Sequence, residues 1–342
     1  MTRHNIAIIV DTSASMNVGD KDSSCGISRL ACTMSGVRTL LGELSPCDPR
    51  KARCGKATRS RVANAVDTVS LFAFPNVTVG TASNDYNCGG KNPTTLPYSL
   101  PAPEASAYSP TVQPESTPTY RIVDFSSDYR TSGRTKALNP DSDIVKAVNG
   151  VSGCAGLRAP GGESTYYAGA IYAAQASLVA EHAARPRSQN VIILISDGDA
   201  NARRNQMARS ATSSGAYPSW VDECGQAITA AKAASTVGTK VYAVAYGGDS
   251  AGRCPTDTSG PYQGFSSCQT MMSIATSAEF FFSSPTVFYS SSLGGSYRTL
   301  CESKAHPATD MNEIFTQIAA SIKVPQGRQG KTQSASLLKS FK

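Results

Sequence analysis

Three stretches of the chain gather oxygen-bearing side chains at spacings that suit coordination of a hard cation. The first is Asp11-Thr-Ser-Ala-Ser15, a carboxylate and two hydroxyls at alternate positions. The second is Ser196-Asp197-Gly198-Asp199, and the third, Gly161-Gly-Glu-Ser-Thr165, sets a hydroxyl where a helix opens. Oxygen-only donors with few carboxylates suit Mg2+ better than a soft metal, with Mn2+ or Ca2+ as alternatives. Two Asp residues offset the ion's charge, and three hydroxyls add ligands without further negative charge. Such an ion retains affinity for one more carboxylate, offered by a protein partner. A plainer reading of Asp11–Ser15 is a helix N-cap cluster, because Asp and Ser both accept from free backbone N–H groups.

The elements around these stretches decide whether they can meet. Ile6-Ala-Ile-Ile-Val10 and Val191-Ile-Ile-Leu-Ile195 are short continuous apolar runs, the pattern of strands buried on both faces of a parallel sheet. Each ends in a carboxylate, where open α/β sheets bind ligands. Further strands are expected at Val66–Phe74, Tyr120–Phe125, Thr239–Tyr246 and, as a short final strand, Glu279–Phe282. Helical spacing marks Arg29–Leu44, Asp143–Val148, Thr165–Glu181, Asp222–Thr236, Met271–Ser277 and Asp310–Ile322, the last with a capping-box-like Asp310 and Glu313. The alternation predicts an α/β fold, doubly wound around a mostly parallel central sheet flanked by helices. Tyr120–Phe125 follows an irregular connection and is the best candidate for an antiparallel edge strand. Residues 76–160 read as a long loop insertion, with seven prolines between Pro93 and Pro118. So little apolar surface there cannot offset the entropy of ordering the chain. Residues 1–322 form one domain in this reading, and 323–342 a polar C-terminal tail.

Composition narrows the function classes. The net charge of +7 is spread over the 342 residues without an aromatic-interleaved basic strip, which argues against nucleic-acid binding. Ten cysteines lack zinc-type spacing and fit disulfides in an oxidising compartment. Cys47–Cys54 and Cys254–Cys268 are the best local pairs, since each brackets a Gly/Pro-containing loop. No run of the sequence is long and apolar enough to span a membrane, so export or anchoring would depend on a segment absent from this chain.

Asp11-Thr-Ser-Ala-Ser15, Thr165 and the Asp197 of Ile195-Ser-Asp-Gly198 together resemble the metal-ion-dependent adhesion site of von Willebrand factor type A domains. The likeness extends from Asn5 to Ile322. Within that family the chain is similar to TadG-like proteins of tight-adherence (Flp) pilus assembly. The residues that carry this are Arg29-Leu-Ala-Cys, Gly36–Cys47, Phe125-Ser-Ser-Asp-Tyr-Arg-Thr131, Thr165–Gln175 and Ile314-Phe-Thr-Gln-Ile-Ala319. The resemblance implies the Rossmann-like fold of that family and a non-enzymatic adhesion or protein-binding role. It also implies pilus or envelope components as partners, at the periplasmic or extracellular face of the cell envelope. It assigns Ser13, Ser15 and Thr165 as hydroxyl contacts to the metal, with Asp11 and Asp197 acting directly or through water. Ser164 would replace Thr165 if the register slips by one. Asp199 is the weaker carboxylate of its pair, because Gly198 ends the strand before it.

Rival chemistries find less support. His4, His182 and His306 are isolated, and neither a GxSxG elbow nor a Walker loop occurs. A metal-dependent hydrolase would need a base, for which Glu163 is the stand-in. A structural domain with an inactive metal site is the other alternative. Asp20, Asp22 and Ser24 alternate as in a calcium loop but lack the rest of an EF-hand. Tyr166, Tyr167 and Tyr172 read as helix packing, and Asn76-Val-Thr78 matches a glycosylation acceptor.

Overall fold

A computed structural model describes residues 2–17, 25, 28–50, 54, 57–58, 61–62, 64–74, 120–159, 164–197, 200–207, 211–247, 253–284, 287–290, 295–298, 301–307 and 310–323. Glu163, Asp199, the Asp20–Ser24 stretch, the Asn76-Val-Thr78 acceptor, the proline-rich part of the insertion and the tail beyond Lys323 lie outside them.

The two apolar runs become the centre of the sheet. Strand β1 spans Arg3–Asp11, helix α1 Arg29–Glu43, and a two-residue hairpin, β2 (Ala57–Thr58) with β3 (Arg61–Val62), precedes β4 (Asp67–Phe74). Then come β5 (Arg121–Ser126), α2 (Asp143–Ala147), α3 (Tyr167–Ala184) and β6 (Ser188–Ser196). The chain continues through α4 (Glu223–Thr236), β7 (Lys240–Tyr246), α5 (Ser267–Ile274), β8 (Phe281–Ser284), the hairpin β9 (Val287–Ser290) and β10 (Gly295–Arg298), and α6 (Met311–Lys323). Six strands form the main sheet in the order β5-β4-β1-β6-β7-β8. All neighbouring pairs are parallel except β4 with β5, which is the antiparallel edge that Tyr120–Phe125 foreshadows.

This order places the site. From β1 the chain crosses to β4 on one side, and later to β6 on the other, so strand order reverses at β1. Right-handed crossovers then send α1 and α4 to opposite faces of the sheet. Helix α6 packs on α1, and α3 on α4, which covers both faces. The α1–α6 approach is close enough that a Cβ at Gly36 would overlap the Phe315 ring. Ile6, Ile8, Ile9, Ile193 and Ile195 are completely buried between these layers. Reversal of strand order leaves a crevice at the carboxyl ends of β1 and β6.

Three expectations need correction. Cys254 pairs with Cys224, and Cys268 with Cys301, not with each other. The loop that carries Cys254 folds over the start of α4, where Asp257 accepts from the backbone N–H groups of Cys224 and Gly225. That docking brings Cys254 to Cys224, thirty residues upstream. Cys47–Cys54 forms as expected, Cys25 bonds Cys32, and Cys154 is also disulfide-bonded. Helix α5 starts four residues earlier than the apolar spacing indicates, because Ser266 and Gln269 make a reciprocal capping box ahead of it. Phe281–Ser284 is not the last strand, since β9 and β10 follow it. Among the described residues no helix is long and apolar enough to cross a membrane.

Candidate metal centre

Strands β1 and β6 run in register, Val10 opposite Ile195, so their ends deliver Asp11 and Ser196 side by side. Beyond Asp11 the chain leaves the sheet through a tight turn. Thr12 donates its backbone N–H to the Phe74 carbonyl at 2.6 Å, and Ser13 donates its own to Asp11 Oδ1 at 2.7 Å. The latter is an Asx-turn, the local bond that Asp makes when a strand ends. A 3-10 turn over Ala14–Asn17 follows, with the fully buried Met16 as its apolar anchor. This turn folds Ser15 back over the crevice.

The side chains form one connected cluster. Ser13 and Ser15 hydroxyls lie 2.9 Å apart, and Ser15 donates to Asp197 Oδ1 at 2.7 Å. Ser196 donates to Asp11 Oδ2 at 2.6 Å. Asp11, Ser13 and Asp197 are buried and Ser15 is half-buried. Thr165 is tied in through the backbone: its N–H donates to Asn201 Oδ1 at 3.0 Å, and the Asn201 N–H returns to the Thr165 carbonyl at 3.0 Å. Asn201 follows Asp197 on the β6 loop, so this two-point clamp holds the start of α3 against that loop.

Two members escape sequence reasoning. Ser196 sits inside a quoted motif, but only strand register shows that it orients Asp11. Arg29, the first residue of α1, donates to Asp197 Oδ2 at 2.5 Å in a largely buried ion pair. The sequence marks Arg29 within the Arg29-Leu-Ala-Cys stretch and by the Ser28 cap that fixes where the helix starts, but neither places it on Asp197.

Charge then becomes informative. Burial pushes the Asp11 carboxyl up to about 7, and the Asp197 charge adds to it, against opposing hydrogen bonds from Ser13 and Ser196. Among the described residues Arg29 pairs with Asp197, and none forms an ion pair with Asp11. Oxygen donors lacking a compensating cation fit a hard divalent ion. The carboxylate oxygens that already accept one hydrogen bond each keep a second lone pair for it. Among the described residues hydrogen-bonded to this cluster there is no His or Glu to serve as a base. Elsewhere Cys224, Cys254 and Asp257 approach one another closely, but the disulfide consumes both thiols and leaves no ligand set.

Fold and site together define an open α/β domain with an oxygen-lined crevice at its topological switch point. The chain belongs to the von Willebrand factor type A domain family, whose model matches residues 108–286, just over half of it. Thr165 and Asp197 fall inside that match; Asp11, Ser13 and Ser15 precede it. Among solved structures the chain is similar to the pilus adhesin SpaC from Lactobacillus rhamnosus GG. That likeness is 14% identical, covers 94% of this chain and 31% of SpaC, and has a TM-score of 0.48. It is similar also to a conserved hypothetical protein, BatB from Bacteroides thetaiotaomicron, at 14% identity, covering 94% of this chain and 100% of that one with a TM-score of 0.36. The chain therefore spans about a third of the adhesin it matches. No curated protein matches it.

Proposed function

We propose that this von Willebrand factor type A domain is a non-enzymatic, Mg2+-dependent protein-binding domain, over residues 1–322, that captures a partner's carboxylate at the crevice. The observation that carries the reading is the unbalanced cluster: Asp11 and Asp197 are buried together, and among the described residues Arg29 pairs with Asp197 while none pairs with Asp11. In this reading Ser13, Ser15 and Thr165 offer hydroxyls to the ion, and Asp11 and Asp197 offset its charge directly or through water. The bound ion supplies Lewis acidity toward an incoming carboxylate. The chain's own residues hold the donors in place: Ser196 orients Asp11, and the Asn201 clamp fixes the Thr165 segment. The disulfides support an oxidising compartment at the periplasmic or extracellular face of the cell envelope. A TadG-like role in Flp pilus assembly or surface adhesion, with pilus or envelope components as partners, rests on the sequence resemblance.

Capture of envelope proteins on the immobilised domain, in Mg2+ and in EDTA, tests this. Partners are expected to bind in Mg2+ alone, and to be lost with Asp11→Ala. Capture that is equal under both conditions sinks the metal-dependent reading. One observation favours a second reading, a domain with an inactive metal site: Arg29 already places a cation on Asp197. Calorimetry separates the two, since absence of Mg2+ and Mn2+ binding heat selects the second.

A further inference from the structure

Helix α4 begins in an unusual way. Its N-cap, Asp222, lies in the left-handed region at φ 56°, and its side chain makes no capping bond. Capping falls instead to Asp257, which accepts from Gly225 N–H at 2.9 Å and Cys224 N–H at 3.1 Å. The Cys224–Cys254 disulfide ties the loop that supplies Asp257 to this helix. Asp222 is thereby freed of a structural duty. Its Oδ1 is buried without a hydrogen-bond partner, and no described residue forms an ion pair with it. A non-glycine residue in the left-handed region costs roughly 1 kcal/mol or more and persists where the surroundings impose it, often at ligand sites.

Asp222 lines a cavity of about 350 Å³ that shares no residue with the oxygen cluster. Tyr172, Tyr217 and Tyr262 line the cavity too, with Asp257 and Thr229. Tyr217 stacks on Tyr166 at 6.1 Å between ring centroids and meets Tyr172 at 4.7 Å, so this wall is held by packing rather than by a ligand. Two glycines keep the space open. A Cβ at Gly215 would stand 2.6 Å from Asp222 Oδ2, and one at Gly225 2.8 Å from the Tyr262 ring. Tyr262 already receives an ammonium on its exposed side: Lys232 Nζ lies 5.4 Å from the ring centroid and 3.1 Å from the hydroxyl.

We propose that this cavity binds an organic ammonium group, its charge paired with Asp222 and its alkyl portion against the tyrosine rings. Carboxylate and aromatic faces both attract such a head group, whereas a neutral ligand leaves the carboxylate uncompensated and an anion is repelled. Burial, with the neighbouring Asp257 charge, raises the Asp222 carboxyl, as expected where no described cation pairs with it. The shared chemistry has two sources, a free alkylamine or a lysine side chain of another protein.

The test is calorimetric titration of the full chain with n-butylammonium, with Nα-acetyl-lysine N-methylamide, and with n-butanol as the neutral isostere. Both cations are expected to bind, and butanol at least about tenfold more weakly, a difference of about 1.4 kcal/mol. Asp222→Asn keeps shape and tolerates the left-handed backbone, so it should melt like wild type yet lose cation affinity about tenfold or more. Thr229→Trp, on the exposed side of α4, should block entry of both cations. Tighter binding of the lysine derivative assigns a protein lysine, and tighter binding of butylammonium a free amine. Equal binding of butanol, undiminished binding by Asp222→Asn, or no binding of either cation in the millimolar range overturns the proposal.

Discussion

The same sheet gathers buried polar residues at both ends, and the two clusters are built on opposite terms. At the amino end of β1 and β4, His4 Nδ1 donates to Asp67 Oδ1 at 2.8 Å, and Asn5 donates to Ser188 and Asn190 of β6. Arg185, at the end of α3, donates to the carbonyls of His4 and Val66, to Asn5 Oδ1 and to Thr68 Oγ1, and lies 3.7 Å from Glu181. Each charge there meets an opposite charge or a set of dipoles. At the carboxyl end, Arg29 pairs with Asp197, no described residue forms an ion pair with Asp11, and the Asp11 carboxyl rises toward neutral pH. A closed network holds elements together. An open one, under the function proposed above, leaves its oxygens to a cation.

That contrast can be broken by mutation, and the closed end should give the largest response. Arg185→Met takes the guanidinium from Glu181 and from five acceptors, and should cost about 3–5 kcal/mol in urea unfolding with Mg2+ affinity unchanged. Loss of Mg2+ binding without loss of stability would reverse the roles given to the two ends. At the open end Asp11→Asn should act with the opposite sign. In EDTA at pH 8 it removes a buried charge that the fold resists, and should stabilise by about 2 kcal/mol while abolishing any Mg2+ response. Asp67→Asn, the matched change at the closed end, should instead destabilise by about 1–3 kcal/mol.

The pH profile sharpens the point. Asp11 has a folded-state pKa of about 7, above its ordinary 3.8. Its contribution is therefore fully present below about pH 4 and is lost as pH rises through 7. Metal-free wild type should lose stability relative to Asp11→Asn across that window, by up to about 1.4 kcal/mol per pH unit. A second group adds a slope of its own: burial, then the Asp257 charge, pushes the Glu223 carboxyl up to about 9 from 4.5. Glu223→Gln should flatten the decline between about pH 4.5 and 9, as read by denaturant midpoints at fixed salt. The smallest expected effect is at Arg29. Arg29→Gln removes the resident cation from Asp197, and should tighten Mg2+ binding about tenfold if the ion and the guanidinium compete for one site. An unchanged constant would show that they do not compete.

Much of this was readable from the chain. Ile6–Val10 and Val191–Ile195 are apolar on both faces, and only a central parallel strand buries both, so their position and the placing of Asp11 and Asp197 at strand ends followed. Tyr120–Phe125 was legible as an edge because a proline-rich sequence without helical spacing precedes it. The cap Asp310 was legible because it accepts from the Glu313 N–H three residues on, a local bond at 2.8 Å. Cysteine pairing was legible only where it is local: Cys47 and Cys54 are seven apart, whereas Cys224 and Cys254 are thirty apart.

The division has a physical basis. Side-chain periodicity, caps and turns depend on neighbours a few residues away, so the sequence alone determined that buried strands end in oxygen donors and that helices separate them. Which strand lies beside which depends on how whole elements pack, and that set β1 next to β6. Packing therefore put Ser196 on Asp11, Arg29 on Asp197 across 168 residues, and Asn201 on Thr165. The oxygen side chains were written in the chain; that Arg29 meets Asp197 while no described residue forms an ion pair with Asp11 was decided only by packing.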